Sequence, residues 1–309
     1  MNCLIMGGAG FIGSHITDAL VERGHYVRVF DRPNVDTANL EKSIDHIELH
    51  LGDFNNEQEV SDALCGIDVV VNLVWTTLPS SSNENPLYDV ESNVKGNIVL
   101  LQSALEQRVK KIVFSSSGGT VYGIPQGLPV NEGHSTYPLC SYGITKLAVE
   151  KYLHLFNYLY DLDYTILRLG NPYGERQKTT SAQGVVAVFL GRILRGETIN
   201  IWGDGSVARD FIYIEDVVRA FVKTIEEKVP SRIYNIGSGK ALSINKVLEV
   251  ISSVTGMRPH IRFKPARHFD VPEIALDIER ASRELGWHPR VSFESGIKRT
   301  WQWLLEQSK

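Results

Sequence analysis

A short apolar run, Cys3-Leu4-Ile5-Met6, passes directly into Gly7-Gly8-Ala9-Gly10 and then into a helical pattern carrying Phe11, Ile12, His15, Ile16 and Leu20. No other stretch narrows the possible folds as far. The run is long enough for one buried parallel strand. Gly7, Gly10 and Gly13 keep the spacing G-x-x-G-x-x-G. A strand that turns sharply into a helix, with a diphosphate against its backbone N–H groups, needs bare backbone at such positions. The triplet gains its meaning from lying between a strand and a helix. A tight turn that binds nothing is the plain alternative.

Strand-like and helix-like stretches then alternate through the first half. Strands are predicted at 26–30, ending at Asp31; near 46–51, ending at Gly52-Asp53; and at 68–73. Two more are predicted at 111–115, ending in Ser115-Ser116-Ser117, and at 164–169, ending at Gly170-Asn171-Pro172. This order predicts an α/β fold with a Rossmann-type doubly wound parallel sheet. Ligands in such sheets bind beyond the carboxyl ends of the strands. Each polar cluster named here falls at such an end, which predicts one shared site.

Beyond residue 170 the pattern loosens. Helices are predicted at 184–195, 215–227, 243–255 (with Ser243 as N-cap) and 293–305, and short strands at Ile199–Trp202, 211–214 and Ile233–Ile236. No Pro- or Gly-rich linker separates the halves. A smaller C-terminal α/β substrate domain is therefore expected to be interwoven with the first. The expected division is residues 1–170 plus about 208–237 for the dinucleotide, and about 171–207 plus 238–309 for the substrate.

Composition excludes several classes. The formal net charge of −4 is too mild for a nucleic-acid or anionic-membrane partner. Three cysteines, Cys3, Cys65 and Cys140, form no disulfide or zinc pattern, so no metal is expected and a reducing cytosol is. No apolar run approaches the roughly 18 residues of a membrane span. The N-terminus has no charged region ahead of its apolar residues, so no signal peptide is expected.

Two sets of residues carry candidate chemistry. Asp31, at the end of the second strand, suits the two hydroxyls of an adenosine ribose and repels a 2′-phosphate, which favours NAD over NADP. Arg32 beside it pulls the other way. Asp53 and Phe54 end the third strand, where an adenine would lie, although Asp53 can equally be a cap for a helix at 55–64. Further on, Tyr142 and Lys146 are four apart on a predicted helix, Ser141–Tyr160, and share a face. A free tyrosine, with a pKa of about 10, is a poor base at neutral pH. A lysine ammonium one turn away, with a positive nicotinamide, is expected to favour its phenolate.

The motifs GGAGFIG, GDF at 52–54, SNVKGN at 92–97, SSSGGTVYG at 115–123, YGITK at 142–146, LRLGNPYG at 167–174, WGDGSVARDFIYIEDV at 202–217 and PARHFDVP at 265–272 run nearly the length of the chain. Together they resemble the extended short-chain dehydrogenase/reductase family, and within it the nucleotide-sugar epimerases of the UDP-glucose 4-epimerase type. The resemblance implies a bound NAD held by Gly7, Gly10, Phe11, Ile12, Gly13, Asp31, Arg32, Asp53, Phe54, Leu73, Asn93, Tyr142 and Lys146. It implies that Tyr142 takes a proton from a sugar hydroxyl while hydride passes to the nicotinamide and back. A serine assists: Ser117 by its spacing from Tyr142, with Ser116 and Thr120 in reserve. Asn171 would meet the substrate phosphates, Arg209 and Arg267 would grip the diphosphate, and Asn200 and Trp202 would flank the uracil. Each arginine also has a plain reading as an ion pair, Arg209 with Asp210 or Asp216 and Arg267 with Asp270; Trp202 can equally be core.

The chain departs from the family pattern in places. Arg168-Leu169-Gly170-Asn171 lacks two aromatics common beside the nicotinamide. Asn72-Leu73-Val74-Trp75 replaces the usual H-L-A-A. Ile274 holds a position that often governs acceptance of an N-acetyl group. Gly118, Gly119 and Thr120 stand where dehydratases carry an Asp-Glu pair and decarboxylases a glutamate, which argues against both reactions. The expected activity is thus C4 epimerisation of a nucleotide hexose. A nucleotide-sugar dehydrogenase or reductase and a non-catalytic dinucleotide-binding scaffold are the alternatives. The resemblance further implies a homodimer through helices at 86–107 and Ser141–Tyr160, with Tyr152, Phe156 and Leu159 facing outward.

Overall fold

Seven parallel strands form the central sheet of a computed structural model that describes residues 1–267 and 270–308. His268 and Phe269 of the 265–272 motif lie outside the described residues, as does Lys309. The first half alternates β1 (Asn2–Met6), α1 (Phe11–Glu22), β2 (Tyr26–Asp31), β3 (Glu48–Leu51), α2 (Glu57–Leu64) and β4 (Val69–Asn72). Then come α3 (Pro86–Asp89), a π-helical turn at Val90–Lys95, α4 (Gly96–Glu106), β5 (Lys111–Ser117), α5 (Ser141–Tyr160) and β6 (Asp163–Leu169). The second half adds β7 (Asn171–Tyr173), α6 (Val185–Leu194), β8 (Ile199–Trp202), β9 (Ala208–Tyr213), α7 (Ile214–Glu226) and β10 (Ile233–Ile236). It ends with β11 (Ala241–Ser243), α8 (Ile244–Thr255), β12 (Ile261–Lys264), α9 (Glu279–Leu285) and α10 (Phe293–Gln307).

The large sheet has the order β10-β6-β5-β4-β1-β2-β3, reversing direction of growth between β1 and β4. That reversal opens a crevice at the strand ends. Leu4 of β1 faces Arg28 on one side and Val70 on the other, and β4 is Val-Val-Val-Asn, buried throughout. Both faces are covered, so these strands read as unbroken apolar runs. Helix α5 follows its predicted bounds. The Ser243 side chain caps α8 by accepting from the Lys246 N–H at 3.1 Å.

The second half is woven into the first. β10 returns to the large sheet, while β9 pairs with β7 and β11 in a three-stranded sheet and β8 pairs with β12. One apolar core runs from Cys3 in β1 through α7 to Leu304 in α10. No helix among the described residues is long and apolar enough to cross a membrane. Two outward residues of the sequence reading turn inward: Tyr152 is half-buried against the core cluster, and Phe156 lies within it. Phe156 is buried against Val149, Leu153 and Tyr164, because α5 turns that side toward β5 and β6. The outer stripe of α5 is instead Ile144, Leu155, Tyr158 and Leu159.

Candidate active site

A cleft of about 1880 Å³ runs along the carboxyl ends of the large sheet and on between the two halves. Its first wall is the glycine turn. Gly7 has φ +80, a left-handed conformation that favours glycine. α1 starts without a side-chain cap or an acidic residue in its first turn, and no described residue accepts from the Phe11 or Ile12 amide. Such a helix start attracts an anion. Gly13 does not line the cleft. A Cβ there would lie 2.3 Å from the Gly7 carbonyl oxygen, so this glycine serves the packing of α1 against the turn.

Asp31 stands at the end of β2 beside that turn. Its carboxylate accepts from the Ala9 N–H at 3.1 Å and the Arg32 N–H at 2.9 Å, and burial pushes its pKa up. Arg32, Asp53, Phe54 and Leu73 line the same end of the cleft. Asp53 is not the cap of α2. Asn56 is: its side chain accepts from the Gln58 and Glu59 N–H groups, while Asp53 accepts from the Asn55 N–H.

Asn93 lies behind the wall. It is fully buried, its oxygen accepting from the Thr76 N–H at 3.0 Å and its amide donating to Asp89 at 2.9 Å. With its polar atoms engaged inside the protein, it shapes the loop after β4 and lies off the cleft lining.

Tyr142 and Lys146 share the face of α5 that looks into the cleft. The Lys146 ammonium donates to the Ser115 carbonyl at 2.7 Å and sits 3.7 Å from the centre of the Trp75 ring. Burial pushes its pKa down to about 7, and the negative charges of Glu150 and Asp89 only partly offset that. The Tyr142 phenol moves the other way: burial raises it above the ordinary tyrosine value, and Cys140 and Asp89 add to the rise. In the protein alone desolvation disfavours the charged form of each group, and the positive nicotinamide of the expected pairing is a separate influence on the phenol.

Three serines end β5. Ser116 donates to Glu150 at 2.5 Å, within a buried pair in which Arg168 also grips Glu150 at 2.6 Å. It is occupied by the structure. Ser117 lines the cleft, and its hydroxyl makes no hydrogen bond among the described residues. The Thr120 hydroxyl is buried without a partner among them. The missing aromatic at Gly170 also has a local cause, since a Cβ there would lie 2.7 Å from the Asp210 carbonyl oxygen.

The far end of the cleft carries Asn171, Asn200, Trp202, Arg209 and Arg267. Arg267 donates to Asp270 at 3.1 Å and lies 5.3 Å over the Trp202 ring. Arg209 donates to the Val271 carbonyl at 2.5 Å, with its other nitrogen 3.8 Å from Asp270. Asp210 and Asp216 are held elsewhere, Asp210 by the Ser238 and Leu276 amides and Asp216 by Arg219 and the Arg290 amide. Asp270 thus aligns both guanidiniums, Arg209 largely buried and Arg267 more open to the cleft. Trp202 remains 45% exposed, which excludes a core role. Ile274 lies outside the cleft lining, in a buried cluster with Tyr122, Val130 and Leu276.

The sequence reading missed what supports α5. Cys140 provides no side-chain cap. Asn83 and Ser82, some sixty residues back, accept instead from the Ser141 and Tyr142 N–H groups at 2.9 and 3.0 Å. Asp89, fully buried, then accepts from the Ser141 hydroxyl. Helix starts are normally read for caps a few residues away, so a cap at this distance has no local signal.

Residues 3–237 match the profile of the NAD dependent epimerase/dehydratase family. The chain belongs to that family. Among its relatives, a putative UDP-glucose 4-epimerase of Methanocaldococcus jannaschii is 37% identical over 309 residues, 99% of each chain. A dTDP-4-dehydro-6-deoxyglucose reductase of Escherichia coli is 34% identical, over 95% of this chain and 94% of the relative. The crystal structure of a Thermotoga maritima UDP-glucose 4-epimerase with UDP-glucose superposes with a TM-score of 0.93 at 36% identity, covering all of both chains. The NAD of an epimerase/dehydratase family member suits the residues here: an uncapped helix start on a bare glycine turn for a diphosphate, and a carboxylate at the end of β2 for a ribose.

Proposed function

We propose that the chain interconverts nucleotide hexoses, most simply UDP-hexoses, at C4 through a transient 4-keto sugar. The observation that carries this reading is the convergence of Tyr142, Lys146 and the unengaged Ser117 hydroxyl on one cleft. That cleft runs from the α1 start to the Arg209–Arg267 pair. Gly7, Gly10, Phe11, Ile12, Asp31, Arg32, Asp53, Phe54 and Leu73 would hold the dinucleotide. Bound NAD supplies a hydride acceptor and donor, and its positive nicotinamide favours a phenolate nearby. Tyr142 then removes the proton from the C4 hydroxyl and later returns it. Ser117 donates to the same oxygen, and Lys146 holds its ammonium beside the phenol. Arg209 and Arg267 clamp the two phosphates of the sugar nucleotide, with Asn171 beside them, and Asn200 and Trp202 flank the base. Clamping at the nucleotide end leaves the sugar free to turn over.

The identity to the E. coli reductase supports a second reading, a net reductase of a keto sugar nucleotide. Incubation with UDP-glucose and UDP-N-acetylglucosamine, separately, distinguishes the two. Epimerisation yields the C4 epimer with no net change in added NADH. A reductase consumes NADH in step with product from a keto sugar, and a scaffold does neither. The same reading includes a homodimer through the exposed side chains of Leu87, Ile144, Leu155, Tyr158 and Leu159, with Leu87 75% and Tyr158 79% accessible. A monomer in sedimentation equilibrium at micromolar concentration would remove that part.

A further inference from the structure

Trp75 breaks a local rule. Its indole N–H is buried and has no acceptor among the described residues, an arrangement that costs free energy. A phenylalanine would fill much of the space without that cost. The ring is nevertheless held firmly. Asn72 accepts from the Val74 N–H at 3.1 Å and Asn93 from the Thr76 N–H at 3.0 Å, fixing the backbone on both sides. The indole packs against Phe114 at 6.1 Å and edge-on to Tyr142 at 5.8 Å. Its face lies 3.7 Å from the Lys146 nitrogen, nearer than Phe114 at 4.8 Å or Tyr142 at 5.7 Å.

We propose that Trp75 is a positioning residue: its indole face carries the Lys146 ammonium and holds it, charged, beside Tyr142. The ammonium is almost wholly buried and has one hydrogen-bond acceptor among the described residues, the Ser115 carbonyl. Three donor hydrogens face one oxygen and three aromatic rings, Trp75 nearest. Indole is the strongest cation–π partner among side chains, and the interaction grows when water is excluded. The other groups that bear on Lys146 are Glu150 and Tyr142 on α5 and Asp89 at the end of α3; Arg168 already neutralises Glu150. The ring therefore adds to what Asp89 supplies and is the group nearest the ammonium after the Ser115 carbonyl. Its consequence for turnover rests on the function proposed above; its consequence for Lys146 does not.

The test has two arms. In the cofactor-free protein, the emission of wild type minus Trp75→Phe isolates Trp75 from the other four tryptophans. That difference should titrate with a midpoint near 7, where burial places Lys146, and the titration should vanish in Lys146→Met. Flat difference emission from pH 5 to 9, or a titration that survives Lys146→Met, overturns the proposal. In the NAD-loaded enzyme, Trp75→Leu should move the alkaline limb of the kcat profile down by about one pH unit, and Trp75→Phe by less. Thermal unfolding of Trp75→Phe should be no lower than wild type, since the orphan N–H is gone. An unmoved limb in Trp75→Leu also overturns the proposal. Absence of turnover in the wild type would sink the epimerase reading alone and leave the emission arm to decide.

Discussion

The Asp89 carboxylate accepts a hydrogen bond of 2.7 Å from the Ser141 hydroxyl, joining the end of α3 to the first turn of the helix that bears Tyr142 and Lys146. Its other oxygen accepts from Thr77 and Asn93, at 2.5 and 2.9 Å, and Thr145 lies within reach at 3.0 Å. A buried anion among neutral donors at a helix start is favourable, because the helix dipole points its positive end there. Replacing Asp89 by Leu leaves several donors unsatisfied. The expected loss is about 3 kcal/mol or more of unfolding free energy, against about 1–2 kcal/mol for Asp89→Asn, which keeps one acceptor. Denaturant midpoints check this, and a Leu variant as stable as wild type contradicts it.

Tyr142→Phe should remove epimerisation by a factor of about 10² to 10⁴, the usual contribution of a positioned acid–base group. NAD should bind with little change, since the phenol faces the sugar. Product analysis and NAD titration calorimetry check both halves, and full activity in the variant would remove the mechanism.

Asp31→Ala should weaken NAD by about tenfold to a hundredfold, the value of one or two hydrogen bonds to a charged acceptor. Preference over NADP should shrink as well, because the repelling charge is gone and Arg32 stays. Calorimetry with both dinucleotides reads this. An unchanged NAD affinity would place the ribose elsewhere.

Lys146 makes the cofactor-free protein sensitive to pH. Its folded pKa of about 7 lies below the ordinary 10.5, so between those values the unfolded chain binds the extra proton. Stability then rises with pH from about 7 toward 10, and the penalty is fully present below 7. Lys111, pushed down to about 8 by burial, acts in the same direction. Lys146→Met isolates the first contribution: it should stabilise the cofactor-free protein at pH 7 by roughly 2–4 kcal/mol and flatten the rise without abolishing it. Equal denaturation midpoints of variant and wild type at pH 7 would contradict this.

Much of the fold was legible because it follows from short-range rules. The apolar runs of β1 and β4 follow from covering a strand on both faces, and the bounds of α5 from helical periodicity. Phe156 was misread because helical spacing identifies a face without saying which neighbour covers it. That Gly13 and Asn93 lie off the cleft lining was not legible, because a motif gives residue types and not the direction in which an atom points.

The order of residues alone determined the glycine turn at the head of α1, the carboxylate that closes β2 and the four-residue interval between Tyr142 and Lys146, since each is set within a few bonds along the backbone. Only the tertiary structure decided that Ser116 is spent on Glu150 while Ser117 keeps an unengaged hydroxyl, that Asp270 aligns two arginines, that Asp89 and Asn83 hold the start of α5, and that Trp75 lies under the Lys146 ammonium. Those relations join residues tens of positions apart. Hydrogen bonds and ring contacts act over a few ångströms of space, so distance along the chain carries no record of them until the sheet has closed.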